Sequence, residues 1–152
     1  MEQDRPKVGL GVYILNAKKQ ILLLKRKGAH GSGTWCPPGG HLEFGESFFE
    51  CVKREAKEET NLDLDEASTA IAGVTNDIFE EEGKHYVTIS MVARTYRGEL
   101  KIMEPNKCDE IGWFDLNNLP KPLFVPVQNY LKSNPQCLCG SGTRFKECHG
   151  TA

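Results

Sequence analysis

Six glutamates crowd into the stretch from Gly40 to Leu62, G-H-L-E-F-G-E-S-F-F-E-C-V-K-R-E-A-K-E-E-T-N-L, and no other feature restricts the fold of this chain so strongly. Glu55, Glu58 and Glu59 are three and four residues apart, a spacing that places them on one face of an α-helix. Three carboxylates on one face repel each other and destabilise the helix unless a positive charge sits among them. A hard divalent cation with oxygen ligands does this, and Mg²⁺ brings substrate phosphates with it. The local signals for the helix agree. Ser47-Phe48-Phe49-Glu50 fits a capping box. Phe49, Val52 and Ala56 recur at helical spacing, so the carboxylates lie beside an apolar stripe. Asn61 stands where a left-handed cap is needed. Upstream, Pro37-Pro38-Gly39-Gly40 forces a tight turn whose backbone can approach a ligand closely. The competing interpretation is a solvated charged helix. It leaves the coincidence of loop, cap, stripe and acid cluster unexplained.

The rest of the first 133 residues predicts one α/β domain. Residues 8–15 and 21–24 are apolar and β-branched, joined by a turn at 16–20, and are expected to form a hairpin. A Gly-rich loop at 28–33 leads into 34–36. Beyond the helix, strands are expected at 71–75 and 85–94 around an acidic tip at 80–83, then at 111–114, with a closing helix at 125–131. Within the second of these strands Tyr86, Thr88 and Ser90 alternate with Val87, Ile89 and Met91, so one side can line a cleft. Cys36, Cys51 and Cys108 lack ligand spacing and are expected to pack as buried apolar groups. Trp113 is expected in the core, and Lys25, Arg26 and Lys27 at a solvated strand edge. His85 has no partner identifiable by sequence. His41, after the Gly-Gly turn, is placed either near phosphates or in a structural hydrogen bond.

Composition excludes several classes. A chain of 152 residues suits one domain with a real core and a small appendage. The formal net charge of −2 and pI near 6.1 argue against a general nucleic-acid-binding surface. No apolar run approaches the ~20 residues that span a membrane. The N-terminus Met1-Glu2-Gln3-Asp4-Arg5 lacks the apolar core of a secretory signal. A cytoplasmic, reducing setting is the expectation, in which six cysteines are thiols or metal ligands rather than disulfides.

Past a linker at 133–135 the composition changes. The tail from Cys137 to Gly150 holds three of the six cysteines. With so little apolar surface it needs something besides the hydrophobic effect to order it. Cys137, Cys139, Cys148 and His149 make a closed tetrahedral Zn²⁺ set, with Gly140, Gly142 and Gly150 for the turns. A closed shell leaves no position for a reacting water. The zinc is therefore expected to be structural and dispensable for catalysis, and the domain is expected to fold without the tail.

Two family resemblances sharpen this reading. Gly40, Glu46, Arg54, Glu55, Ala56, Glu58, Glu59, Asn61 and Leu62 resemble the Nudix box, with Asn61 replacing its final glycine. The likeness runs roughly from Val8 to Leu131 and is similar to MutT-type nucleoside-triphosphate diphosphatases that accept purine nucleotides. It implies a Nudix-type α/β/α sandwich around a mixed β-sheet over residues 5–133. The tail C-x-C-G-S-G-x-x-x-K-x-C-H-G resembles the SEC-C zinc motif. This implies a zinc knuckle over 135–152, a protein or ribosome docking partner, and a bacterial source.

The resemblance to the Nudix family also implies chemistry: hydrolysis of a nucleoside triphosphate to monophosphate and pyrophosphate, with Mg²⁺, or Mn²⁺ in its place. Phosphoanhydride hydrolysis needs neutralised phosphate oxygens, a positioned water and a base. Glu55, Glu58 and Glu59 are the expected Mg²⁺ ligands, of which the family points to Glu55 and Glu59 as principal. Glu55, Glu58, Arg54 and Glu46 form the catalytic group. In it Arg54 orients Glu58 at i+4 or Glu46 across the loop. The base is a glutamate of the cluster, or Asp109 or Glu110 on a facing loop. Arg26, Gly39, Gly40, His41 and Thr88 are the expected substrate contacts, Thr88 bordering the base. Two other functions stay open: a hydrolase of another nucleoside diphosphate-linked compound or a pterin triphosphate, and a catalytically idle Nudix module docked through its zinc tail.

Overall fold

The computed structural model describes residues 4–28 and 30–151. The reading of the N-terminus as free of a secretory signal rests partly on residues 1–3, and the Gly-rich loop includes Ala29; these lie outside the described residues.

Strand β1 (Lys7–Ile14) is the centre of the domain. Its side chains alternate between two cores: Leu10, Val12 and Ile14 face one, Tyr13 and then Leu15 the other. A strand buried on both faces must sit inside a layered structure with cover on each side. The first sheet has the order β4-β1-β7-β6. It is mixed: β1 runs parallel to β7 (Lys84–Ala93) and antiparallel to β4 (Gly39–His41), and β6 (Thr69–Phe79) closes an antiparallel hairpin with β7. Three further strands, β2 (Ile21–Arg26), β3 (Trp35–Cys36) and β9 (Cys108–Phe114), form a second, antiparallel sheet ordered β3-β2-β9. The short pair β5 (Asp63–Leu64) and β8 (Tyr96–Arg97) completes the strands.

Helix α1 (Phe48–Thr60) covers one face with Cys51, Val52 and Ala56, all fully buried. Helix α2 (Val125–Lys132) covers the other with Val127 and Tyr130. The α/β/α sandwich around a mixed sheet is therefore present. Trp113 is partly buried against the α1-side core and stacks on Tyr96.

The expected hairpin between the first two strands is not present. The turn forms, with Asn16 Oδ1 accepting from the amides of Lys18 and Gln20. Only Leu15 and Ile21 bridge, and beyond them the strands diverge into separate sheets. A turn fixes pairing only where it closes. β1 instead pairs along its whole length with the later strand β7, while β2 pairs with β9.

The tail departs from expectation too. Leu138 and Phe145 are buried, and with Cys137 and Cys139 they join the core that contains Tyr13, Val92 and Tyr130. Arg94 donates from Nη1 to the Leu138 carbonyl at 2.9 Å. The tail thus has apolar surface after all and is docked on the domain. Among the described residues no helix is long and apolar enough to cross a membrane.

Candidate active site

Helix α1 begins and ends as its sequence requires. Ser47 Oγ accepts from the Glu50 amide at 3.1 Å, and the Ser47 amide donates to Glu50 Oε2 at 2.8 Å, a reciprocal capping box. Asn61 closes the helix at φ 67°, in the left-handed region, and its amide donates to the Lys57 carbonyl. The helix is held at both ends, which fixes the direction of its acidic face.

On that face Arg54 is the organising cation. Its Nε donates to Glu46 Oε2 at 2.8 Å and its Nη2 to Glu46 Oε1 at 3.0 Å, a two-point fork. Its Nη1 donates to Glu55 Oε1 at 2.6 Å and lies 3.6 Å from Glu58. Arg54 therefore orients Glu46 and Glu58 as expected, and Glu55 as well. The Arg54 hydrogen bonds pull the Glu46 carboxyl down to about 2 and raise Arg54 itself.

Glu59 behaves in the opposite way. Burial first, then the neighbouring Glu55 charge and a hydrogen bond between the two carboxyls, push its pKa well above the usual range. Two carboxylates in contact, both half-buried, need either a shared proton or a cation with oxygen preference. A hard divalent ion fits this donor set. Glu58 is half exposed on the Arg54 side and does not itself line the cleft beside the pair. The turn expected over 37–40 gives way to strand at Gly39 and Gly40, because both pair with β1 as part of β4, and this stretch packs directly against the pair. A Cβ on Gly40 would lie 2.4 Å from the Glu55 carboxyl, and one on Gly39 would lie 1.9 Å from the Leu10 carbonyl, so neither position admits a side chain.

Glu55 and Glu59 line a cleft of about 510 Å³. All five expected substrate contacts, Arg26, Gly39, Gly40, His41 and Thr88, line it as well. Arg26 is not at a solvated edge: its guanidinium carbon lies 4.2 Å from the Phe124 ring centroid and its Nε donates to the His30 carbonyl. His41 stacks on Tyr86 with centroids 5.5 Å apart, and burial lowers its pKa. The cleft also has an aromatic cluster, Phe79, Tyr86 and Phe124 around His30, whose ring is hydrogen-bonded with Glu82.

Sequence reasoning missed Glu104. It lines the cleft and its charge acts on Glu59, whereas Asp109 is exposed and paired with Lys27 at 3.6 Å, and Glu110 is exposed on β9; neither lines the cleft. The acid of the facing loop is therefore Glu104. Its loop hangs from the end of α1, with the Lys101 amide donating to the Thr60 carbonyl and that of Met103 to the Glu59 carbonyl. The signal was the E-P-N-K-C run itself, but only the fold shows where it docks. His85 does have a partner, Asn76 on β6. Cys36, Cys51 and Cys108 are buried, as expected.

The tail cluster is separate. Ligand atoms of Cys137, Cys139, Cys148 and His149 all lie within 4.8 Å of one another. Cys139 Sγ is 3.7 Å from Cys148 Sγ, and His149 Nδ1 is 3.2 Å from both Cys137 Sγ and Cys148 Sγ. A tetrahedron with zinc–sulfur arms of about 2.3 Å has edges of about 3.8 Å, so these spacings fit Zn²⁺.

Comparison with known proteins agrees with both parts. The NUDIX domain profile matches residues 5–133 and the SEC-C motif profile matches residues 134–151. An ADP-ribose pyrophosphatase from Methanocaldococcus jannaschii is 39% identical over 111 residues, covering 73% of this chain and 63% of that protein. The 8-oxo-dGDP phosphatase NUDT18 of Mus musculus is 32% identical over 118 residues, covering 76% of this chain and 34% of that protein. The chain thus spans from about a third to somewhat under two thirds of the length of these curated relatives. The crystal structure of a MutT NUDIX hydrolase from Burkholderia pseudomallei has a TM-score of 0.78 at 33% identity, covering 85% of this chain and 98% of that one.

Proposed function

This chain belongs to the Nudix family, and on that premise we propose that its acidic cleft hydrolyses the phosphoanhydride of a purine nucleoside triphosphate, releasing monophosphate and pyrophosphate. The observation that carries the reading is the half-buried Glu55–Glu59 pair, with Glu55 held by Arg54, in a cleft that also carries aromatic side chains. Such a cleft is acidic where phosphates with a divalent ion would lie and flat-walled where a base would stack.

Glu55 and Glu59, with Glu58 on the Arg54 side, would hold Mg²⁺ or Mn²⁺. When bound, the ion neutralises phosphate oxygens and lowers the pKa of a ligated water. Arg54 keeps Glu55 in place, and Glu46 in turn holds Arg54. Gly39 and Gly40 let the β4 backbone pack against the carboxylates. Glu104, which lines the cleft, or Glu58 beside Arg54 would take the proton of the attacking water. Arg26, over the Phe124 face, offers charge to a phosphate on its path to the base slot. His41 and Thr88 flank that path.

A second reading, ADP-ribose hydrolysis, is favoured by the 39% identity to an ADP-ribose pyrophosphatase. Both substrates pair a purine with a diphosphate and would use the same carboxylates. Product analysis separates them. The purified chain is incubated with Mg²⁺ and ATP, GTP, 8-oxo-dGTP, ADP-ribose or a nucleoside diphosphate sugar, and products are resolved by ³¹P NMR. Pyrophosphate plus monophosphate as the fastest reaction supports the first reading. Ribose 5-phosphate plus AMP supports the second, and an inert panel contradicts both.

In the tail we assign one structural Zn²⁺ to Cys137, Cys139, Cys148 and His149. Its exposed side, with Arg144 and Lys146, is the surface open to a docking partner, a protein or the ribosome. A cytoplasmic setting would keep Cys36, Cys51 and Cys108 as buried thiols and leave the tail cysteines available to the metal.

A further inference from the structure

Helix α2 has two ends with different neighbours. At its start Phe124, Pro126 and Val127 line the substrate cleft. At its other end Tyr130 is 1% exposed and sits in one apolar cluster with Cys137, Leu138, Cys139 and Phe145 of the tail. The helix is only eight residues long, so the cleft wall and the tail contact are little more than two turns apart. Tyr130 also stacks on Tyr13, centroids 5.2 Å apart and planes 23° apart, and Tyr13 itself lines the cleft.

Little slack remains around this stack. A Cβ on Gly73 would approach Tyr130 Cε2 to 3.1 Å, so β6 uses a glycine to admit the ring. Asn129 Nδ2 donates to the fully buried Asp77 at 2.8 Å, and Thr75 holds the other Asp77 oxygen at 3.0 Å, which ties α2 to β6 beside the ring. From behind, the tail is fixed by the Arg94 bond to the Leu138 carbonyl and by the Phe145 amide bond to the Pro135 carbonyl at 2.8 Å. The four ligand side chains would tie the tail's two segments together around one metal ion, adding to the Cys137 amide bond to the Thr143 carbonyl and the Gln136–Arg144 bridge.

We propose that Tyr130 is a positioning residue for the substrate cleft, and that the Cys/His knuckle holds it in position from behind. The knuckle then backs the wall that receives the nucleotide, and its metal state sets substrate affinity while the chemistry at the Glu55–Glu59 carboxylates is unchanged. This inference rests on the cleft being the nucleotide site; the test below keeps the two separable.

The experiment uses the full chain with Tyr130→Leu, Tyr130→Phe, Cys148→Ser and the double variant Tyr130→Leu/Cys148→Ser. Steady-state kinetics are read on the best triphosphate of the panel, and binding of α,β-methylene-ATP with Mg²⁺ by calorimetry. Tyr130→Leu removes the stacked ring and is expected to raise KM and Kd about tenfold, with kcat changed by no more than about twofold. Tyr130→Phe keeps the ring and restores wild-type values. Cys148→Ser raises KM in the same direction, and the double variant binds no more weakly than Tyr130→Leu alone, because both act through one contact. A second measurement needs no nucleotide: hydrogen exchange at residues 124–127 is expected to rise in Cys148→Ser. Unchanged exchange there overturns the proposal even if Tyr130→Leu does not fold. So do additive effects in the double variant, or wild-type KM in a cooperatively melting Tyr130→Leu. A wild type that binds no nucleotide sinks the functional reading instead, and the exchange measurement still decides the coupling.

Discussion

Glu59 sets the demands of folding against those of chemistry. Burial and Glu55 raise its pKa, so as the metal-free protein is taken above the ordinary carboxylate range, ionising Glu59 lowers stability. Glu59→Gln removes that penalty. The metal-free variant is expected to melt higher than wild type at neutral pH, by roughly 2–4 °C per kcal/mol relieved, and the gain is expected to vanish in acid, where the wild-type carboxyl is neutral. Mg²⁺ should raise the melting point of wild type and leave that of Glu59→Gln nearly unchanged. Calorimetry with and without Mg²⁺ at two pH values checks both. Glu46 has the opposite sign. Its pKa is held down to about 2 by Arg54, so the pair stabilises the fold above the ordinary carboxylate range. That stability is lost as pH falls toward about 2, and Arg54→Met should flatten the acid limb of an unfolding titration. The role of Arg54 was legible because i+4 spacing and the loop motif both aimed carboxylates at it. That it also binds its sequence neighbour Glu55 was not, since i and i+1 side chains do not ordinarily face each other.

At the scale of elements, local chemistry was readable wherever the deciding contacts were local. The capping box at Ser47, the left-handed Asn61 and the buried stripe of α1 all depend on residues a few positions apart. Strand pairing depends on distant partners, and there the expected β1–β2 hairpin failed: turn residues 16–20 are present, but β7 competes for β1 over its whole length. Glu104 escaped for a related reason: the turn of its own run, in which the Lys107 and Cys108 amides donate to the Glu104 carbonyl, is local, but the loop's place beside Glu59 is fixed by carbonyls at the end of α1. Two substitutions test the α1 account. Ser47→Ala should cost about 1 kcal/mol of stability and leave the kinetics nearly unchanged, measured by chemical denaturation. Gly40→Ala should fold less stably and lose activity, since its Cβ would meet the Glu55 carboxyl. An active, wild-type-like Gly40→Ala would mean that β4 does not pack on the carboxylates as described.

For the whole molecule, one chain combines an acidic cleft with a thiol cluster docked on the core under α2, whose first residues also line that cleft. The ligand set of the tail was legible because cysteine and histidine spacing carries it. Its docking was not, because Leu138 and Phe145 look incidental until they meet Tyr130 and Tyr13. Removing zinc with a strong chelator is therefore expected to lower the melting temperature of the whole chain as well as release the tail, and readdition should restore it. The central claim is that Glu55 and Glu59 hold the metal that hydrolyses a nucleotide phosphoanhydride. The most direct measurement is turnover of a purine nucleoside triphosphate by wild type and Glu59→Gln, over a Mg²⁺ titration, in H₂¹⁸O with mass analysis of the products. The expected result is Mg²⁺-dependent release of pyrophosphate and monophosphate, one of them carrying a single ¹⁸O, and a loss of at least about a hundredfold in Glu59→Gln that saturating Mg²⁺ does not rescue. Full turnover in excess chelator, or by Glu59→Gln, would contradict it.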